Sequence, residues 1–216
     1  MISRAKKRII IADDHAVVRM GMQLMLDETS DMAICDEASN GHVLMHKLSA
    51  TEFDLVVMDA SMPGRDGIDL LKEVKSLYPK LPVVVFTMNH DDHFAIRMIK
   101  AGASAFVSKE TNPQHIIEAL RVALTGKRYF FPHQADILAE MVNAPHTNRD
   151  PHEALTDREF QVMYLLASGL KTHEIAEKIM VSKHTVANHR TAILKKMGLA
   201  GNAELAKYAV KHQIVK

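Results

Sequence analysis

Four short apolar runs each end on polar residues suited to phosphoryl or metal chemistry. Ile9-Ile10-Ile11-Ala12 stops at Asp13 and Asp14, and Leu55-Val56-Val57-Met58 stops at Asp59. Val83-Val84-Val85-Phe86 stops at Thr87, and Ala105-Phe106-Val107-Ser108 at Lys109. If these runs are parallel strands, their carboxyl ends share one sheet edge, where open α/β folds place their ligand crevice. Three carboxylates, a hydroxyl and an ammonium then meet in one pocket. Carboxylates that close repel one another, so in an empty site at least one pKa should rise. A hard cation relieves this, and Mg2+ takes oxygen ligands, keeps several waters and suits phosphate chemistry. A strand-end carboxylate can also be a nucleophile that forms an aspartyl phosphate. Lys109 can pair with the transferred group while the Thr87 hydroxyl hydrogen-bonds to it. Singly, Asp13 and Asp14 serve equally well as caps of a helix starting near Ala16, and Asp59 as turn chemistry before Ser61-Met62-Pro63-Gly64. Their joint placement at successive strand ends favours a site.

The elements that must position these groups alternate. Helical periodicity falls at residues 16–27, 43–48, 69–77, 94–100 and 113–124, and a fifth strand at 33–38 lies between the first two helices. Strand followed by helix, five times over, predicts a five-stranded, doubly wound parallel α/β sheet covered on both faces. Asn112 before Pro113 reads as an N-cap with proline at the first helical position. Residues 126–152 break the alternation with a turn-like Gly126-Lys127-Arg128-Tyr129-Phe130-Phe131-Pro132 and a helix-compatible stretch at 134–142. Residues 143–152 are polar, with two prolines and no periodicity. The expected division is an α/β domain over 1–126, an interdomain linker over 127–152 and a small all-α domain over 153–216.

In that last stretch, Thr156 with Glu159 three residues on forms a capping box ahead of a helix ending near Gly169. A short helix at 173–180, a tight turn at 180–183 and a longer helix at 184–197, stopped by Gly198, make a helix-turn-helix. A final helix is expected at 203–212. Residues 153–216 carry ten Lys/Arg against six Asp/Glu, a charge of +4, which leaves −3 elsewhere in a chain of net charge +1. A basic half joined to a mildly acidic half suggests a polyanion binder controlled by another module.

Composition sets the bounds. The 216 residues allow one or two domains, and 47% hydrophobic with 25% charged residues is ordinary for a globular protein. The single cysteine, Cys35, excludes an internal disulfide framework and fits a reducing compartment. No apolar run approaches the roughly 20 residues that a bilayer requires. The basic start, Met1-Ile2-Ser3-Arg4-Ala5-Lys6-Lys7-Arg8, leads into a strand-length run without the features of a signal peptide. The expected location is therefore cytoplasmic, away from any membrane. The 13 histidines are scattered, and His90 and His93 beside Asp91 and Asp92 make no convincing ligand set.

Asp13-Asp14-His15, Met58-Asp59-Ala60-Ser61-Met62-Pro63-Gly64, Thr87, and Gly102-Ala103 with Phe106 and Lys109 together resemble a response-regulator receiver domain. The order and spacing match across about 120 residues. The resemblance implies a flavodoxin-like fold in which Asp59 accepts a phosphoryl group from a histidine kinase. It also implies that Asp13, Asp14 and Asp59 bind Mg2+, that Thr87 and Phe106 occupy switch positions, and that Lys109 contacts the phosphoryl group. Two positions depart from the family pattern. Ala60 is smaller than the usual bulky aliphatic residue after the acceptor, and Met88 is larger than the usual small residue after the switch threonine.

From Leu155 to Leu199 the chain resembles the LuxR-type helix-turn-helix. The matching strings are Leu155-Thr156-Asp157-Arg158-Glu159, Leu165-Leu166-Ala167-Ser168-Gly169, Glu174-Ile175-Ala176, Val181-Ser182, Thr185-Val186, Asn188-His189 and Leu194-Lys195-Lys196-Met197-Gly198. A receiver joined to this module is the pattern of the NarL/FixJ-type response regulators. The N-terminal half of the helix from His184 would then enter a major groove of double-stranded promoter DNA. Asn188 can pair bidentately with an adenine edge, with Lys183, His184 and Thr191 within reach. Thr185, Arg190 and Lys195 better suit phosphate contacts, which position without specifying sequence. Ala187 stands where the family is often polar, so fewer base edges would be read directly. The small apolar residues Ala203, Leu205, Ala206 and Ala209 suit a homodimer contact or internal packing.

The resulting expectation is a transcription regulator, not an enzyme, whose DNA binding is switched by phosphorylation of Asp59. A phosphatase with an aspartyl-phosphate intermediate is disfavoured because the second residue after Asp59 is Ser61, not a general acid. A regulator controlled by dimerisation or a protein partner, independent of phosphorylation, ranks lower because the acidic set is intact.

Overall fold

The computed structural model describes residues 6–63, 66–88, 92–143, 150–179, 181–212 and 214–215. Five parallel strands, β1 (Lys7–Ala12), β2 (Met32–Ala38), β3 (Leu55–Met58), β4 (Val83–Thr87) and β5 (Ala105–Ser108), form one sheet in the order β2-β1-β3-β4-β5. Helices α1 (Ala16–Asp27), α2 (Gly41–Ala50), α3 (Gly67–Leu77), α4 (Asp92–Lys100) and α5 (Pro113–Leu124) connect and follow them. This is the doubly wound sheet expected, in the flavodoxin-like order.

Helices cover both faces, and for that reason the strands read as continuous apolar runs rather than as an alternation of apolar and polar residues. Every residue of β3 and β4 is buried. The pleat sorts them between two cores. Ile10, Ala12, Val56, Met58, Val83 and Val85 pack with Leu44 and Leu48 of α2, Leu71 and Val74 of α3, and Met98 of α4. Ile9, Ile11, Leu55, Val57, Val84 and Val107 pack with Met22 and Leu26 of α1 and with Ile116, Ala119 and Leu120 of α5.

Helix starts differ from the apolar periodicity where a cap sets them. The Asn40 side chain accepts from the Val43 N–H at 3.0 Å, so α2 begins at Gly41 rather than at residue 43. Asp66 accepts from the N–H groups of Ile68 and Asp69 at 2.8 and 3.3 Å, so α3 begins at Gly67 rather than 69. Each cap satisfies donors that a helix's first turn leaves unpaired. Asn112 and Pro113 act as expected at the start of α5.

The sheet-bearing compact unit extends to Gln134, and a second unit runs from Ala135 to the C-terminus. Helix α6 (Pro132–Asn143) and a 3₁₀ turn (Pro151–Ala154) occupy the expected linker region. The linker positions 144–149 lie outside the described residues, as do Gly64 and Arg65 after β3, Asn89 to Asp91, and Met180 of the expected helix-turn-helix corner.

The second unit holds α7 (Asp157–Ala167), α8 (Thr172–Lys178), α9 (Lys183–Met197) and α10 (Asn202–Lys211). Phe160, Met163, Ile175, Val186, Ile193 and Leu205 fill its core. The capping box forms: Thr156 N–H donates to Glu159 Oε2 at 2.7 Å and Glu159 N–H to Thr156 Oγ1 at 3.3 Å. Gly198, at φ 66°, takes the left-handed conformation that ends α9. Among the described residues, no helix is long and apolar enough to cross a membrane.

One close approach ties α3 to the loop after β3. A Cβ built on Gly67 would lie 2.3 Å from the Ala60 carbonyl oxygen and 2.7 Å from Ala60 Cα, beside Asp59. Gly67→Ala is expected to cost about 1–3 kcal/mol in urea denaturation, since rigid backbone must yield. Gly21→Ala meets nothing within 4 Å and is expected to leave stability unchanged or raise it.

Candidate functional site

The sheet order reverses between β1 and β3, and there the two buried carboxylates emerge. Asp59 N–H donates to the Ala12 carbonyl at 2.8 Å, and Asp13 N–H to the Ala38 carbonyl at 3.0 Å. These ladder bonds set the side chains of Asp13 and Asp59 next to each other, 1% and 3% exposed. Lys109 arrives from the end of β5, its own N–H bonded to the Thr87 carbonyl at 2.9 Å. Its Nζ lies 2.7 Å from Asp13 Oδ2 and 2.7 Å from Asp59 Oδ2. The Ser61 N–H holds the other Asp59 oxygen at 2.9 Å. Thr87 is fully buried, its hydroxyl 3.5 Å from the Ser61 hydroxyl. Phe106 is also buried and meets Phe94 edge-on at 6.1 Å between ring centres.

The sequence-predicted residues Asp13, Asp14, Asp59, Thr87 and Lys109 therefore gather at one edge of the sheet. Asp13 and Asp14 do not cap α1: His15 holds the N-cap position and no side chain caps it. Burial pushes the Asp59 carboxyl above the usual carboxylate range, against the pull of Lys109 and the Ser61 N–H. Repulsion from Asp13 adds least to this rise, so desolvation rather than like charge raises this acid. Burial also lowers Lys109, but its bonds to Asp13 and Asp59 outweigh that and leave its pKa raised. Asp13, Asp14, His15 and Asp59 bring one ligand atom each to within 4.8 Å of one another. Three of those donors are hard carboxylate oxygens, and the set fits a divalent cation such as Mg2+.

In the second unit α9 buries Val186, Ile193 and Met197 and leaves Lys183, His184, Ala187, Asn188, Thr191 and Lys195 exposed. Spacings of three and four place His184, Ala187, Asn188, Thr191 and Lys195 along one side of the helix. Ser182 caps it, its oxygen accepting from the Thr185 N–H at 3.0 Å and lying 2.8 Å from the Thr185 hydroxyl. Arg190 is half-buried and donates to Asn202 Oδ1 at 2.6 Å, which ties α9 to the start of α10.

Several supporting contacts have no spacing rule in the sequence. Lys196 Nζ lies 2.7 Å from Oε2 of the buried Glu159. Arg19 donates to the Asp13 carbonyl at 2.8 Å and to Glu37 at 2.6 Å, bracing the loop after β1. His15 Nδ1 lies 2.9 Å from Asp14 Oδ1. Gln134, buried in the first turn of α6, donates to the Phe106 carbonyl at 3.2 Å. Each contact joins residues whose pairing only the fold reveals, or whose types are common at helix surfaces.

Residues 9–121 match the family profile described as the response regulator receiver domain, and residues 153–209 match that of bacterial regulatory proteins of the luxR family. The oxygen regulatory protein NreC of Staphylococcus carnosus (strain TM300) is 34% identical over 215 residues, covering 96% of this chain and 99% of that protein. Response regulator GacA of Pseudomonas viridiflava is 30% identical over 208 residues, covering 96% and 97%. The solved structure of RcsB from Salmonella enterica serovar Typhimurium, bound to promoter P1flhDC in the presence of phosphomimetic BeF3-, aligns with TM-score 0.67 and 25% identity. It covers 94% of this chain and 98% of that one.

The raised Asp59 acid has a measurable consequence. Its folded pKa lies above the unfolded value, so its charge lowers stability at neutral pH, and that cost fades as pH falls through the raised value. Asp59→Asn is expected to raise the thermal midpoint at pH 7 in Mg2+-free buffer, with the gain shrinking as pH falls through the raised value and gone below the usual carboxylate range. An equal gain at every pH would contradict the assignment.

Proposed function

This chain belongs to the NarL/FixJ-type response regulators, a receiver domain followed by a LuxR-type DNA-binding domain, and we infer that phosphorylation of Asp59 switches its binding to promoter DNA. The observation that carries this reading is a buried carboxylate shared with Asp13 by one ammonium, at the strand ends where the sheet order reverses. In this reading the receiver spans 1–126, the linker 127–152 and the DNA-binding domain 153–216, in a cytoplasmic protein that serves no membrane role. The phosphoryl donor is a sensor histidine kinase.

Asp13, Asp14 and Asp59 would hold Mg2+, which neutralises charge on phosphoryl oxygens. An Asp59 oxygen attacks the phosphorus of the kinase's phosphohistidine while the other stays on the Ser61 N–H; the P–N bond breaks and the kinase's imidazole leaves, taking up a proton from water. Lys109 then moves its ammonium from the Asp59 carboxylate to a phosphoryl oxygen, keeping a buried charge paired throughout. The Thr87 hydroxyl turns to the same group, and Phe106 adjusts against Phe94. Because the Phe106 carbonyl is bonded to Gln134, a shift of β5 reaches the first turn of α6.

The output rests on the exposed face of α9. Asn188 reads a base edge, with Lys183, His184 and Thr191 beside it, while Thr185, Arg190 and Lys195 contact phosphates. A two-fold homodimer would present two such helices to half-sites about one helical turn apart. The RcsB complex with promoter DNA and a phosphomimetic supports the pairing of these two activities in one chain. No substrate turnover beyond loss of its own phosphoryl group is expected.

Intact mass after incubation with Mg2+ and a small phosphodonor, or with a cognate kinase and ATP, should show one phosphoryl adduct on wild type and none on Asp59→Asn. An adduct of equal yield on the variant would overturn Asp59 as acceptor. On DNA, Asn188→Ala should lose about 1–3 kcal/mol on the specific site and little on random sequence. Lys195→Ala should weaken both alike and flatten the salt dependence. Equal losses on both DNAs for Asn188→Ala would remove it as a reader.

A further inference from the structure

The second unit contains a histidine cluster that phosphoryl transfer and DNA contact leave unused. His152, in the 3₁₀ turn ahead of α7, is 4% exposed. Its Nδ1 lies 2.9 Å from the Tyr208 hydroxyl on α10. His212, just past the end of α10, stacks on that same tyrosine at 4.1 Å between ring centres and 23° between planes. The two imidazoles are 6.0 Å apart, and His212 Nδ1 lies 3.5 Å from Asp150 Oδ1. Asp150, His152 and His212 each offer one ligand atom, all within 4.8 Å of one another.

We propose that Asp150, His152 and His212 form a binding site for a late first-row divalent cation of the Zn2+ class. Two imidazole nitrogens and one carboxylate oxygen, with water in the fourth position, are a donor set that Zn2+ accepts tetrahedrally. Imidazole also separates this site from the acidic pocket near Asp59, whose hard oxygens favour Mg2+. Ligands about 2.0–2.1 Å from zinc lie about 3.3 Å from each other, so the 3.5 Å between Asp150 and His212 is already near the bound spacing. Asp150, with its side chain 48% exposed, supplies the adjustment that closes the rest.

Tyr208 fits the role of a residue that orients ligands without binding the ion. It fixes one ring by a hydrogen bond and the other by stacking, and such supporting contacts tune metal sites strongly. The ion would join the segment ahead of α7 to the end of α10. At its other end α10 holds Arg190 of the DNA-facing helix through Asn202. Occupancy therefore braces α10, to which α9 is tied by that hydrogen bond.

The three ligands were not readable as a set from the sequence, because His212 is far from Asp150 and His152 along the chain and only the packing of α10 unites them. The scattered histidines offered no spacing to choose between.

The test uses the full-length protein stripped of metal and kept in excess Mg2+, which occupies the acidic pocket. Zn2+ is titrated against a chromophoric competitor, with Co2+ absorption as a second readout of coordination. One tight equivalent with a tetrahedral Co2+ spectrum is expected for wild type. His212→Ala should abolish the spectrum, and Asp150→Asn should weaken binding at least about tenfold. The thermal midpoint should rise with Zn2+ in wild type and not in His212→Ala. These two variants alter partly exposed residues, so folding is checked by circular dichroism, and the buried His152 is left intact. If stoichiometry, affinity and spectrum are the same in wild type and in His212→Ala, the ion is held by other histidines and the proposal fails. It also fails if wild type takes up no Zn2+, in which case the cluster is aromatic packing alone.

Discussion

Everything in the receiver is arranged around one ammonium held between two buried carboxylates. Removing the charges of Asp13, Asp59 and Lys109 from water is costly, and mutual attraction offsets that only when the geometry holds all three at once. The ladder bonds from Asp59 to Ala12 and from Lys109 to Thr87 are what hold them. A parallel sheet whose order reverses between β1 and β3 sends those strand ends outward side by side. The apolar runs preceding each polar residue are therefore part of the site: they fix the backbone from which it projects.

A comparison within the chain shows why burial of an acid does not by itself raise its pKa. Glu159 is buried and bonded to Lys196, yet its carboxyl is held below its usual range, while that of Asp59 is raised. Burial opposes the charge in both. Glu159 escapes because the capping-box bonds of Thr156 and the Lys196 ammonium together outweigh it. Its charge is satisfied where it sits and it acts as a strut between α7 and α9. Asp59 lies deeper and has fewer compensating donors, so it remains a costly charge that a bound cation would relieve.

The fold and the gathering of Asp13, Asp14, Asp59, Thr87 and Lys109 at one sheet edge are largely legible because each rests on local patterns with a physical cause. Doubly buried strands must be apolar throughout, helices must alternate with them, and the reactive residues must follow the strands directly. The same local reading gave the capping box at Thr156 and the stop at Gly198. It placed the starts of α2 and α3 two residues late, because Asn40 and Asp66 set those starts by bonding backbone donors rather than by apolar contact. What it could not see are pairings between distant, ordinary residues: Lys196 with Glu159, Arg190 with Asn202, and Gln134 with the Phe106 carbonyl. None of these has a spacing rule, since the fold alone brings the partners together.

The Gln134 bond bears on how a small local change could leave the pocket. Lys109 and Phe106 belong to one continuous segment at the end of β5, and the Lys109 N–H is fixed to Thr87. If Lys109 transfers its ammonium from a carboxylate to a phosphoryl oxygen, the backbone next to it must follow or the ladder bond must stretch. Packed strands move as units rather than bending gradually. The Phe106 carbonyl would move with them, and its amide partner at the start of α6 is buried, where losing a hydrogen bond costs about 1–3 kcal/mol. That is a sizeable share of the few kcal/mol needed to invert a two-state population. In that event a single buried glutamine would make the start of α6 sensitive to what Lys109 is paired with.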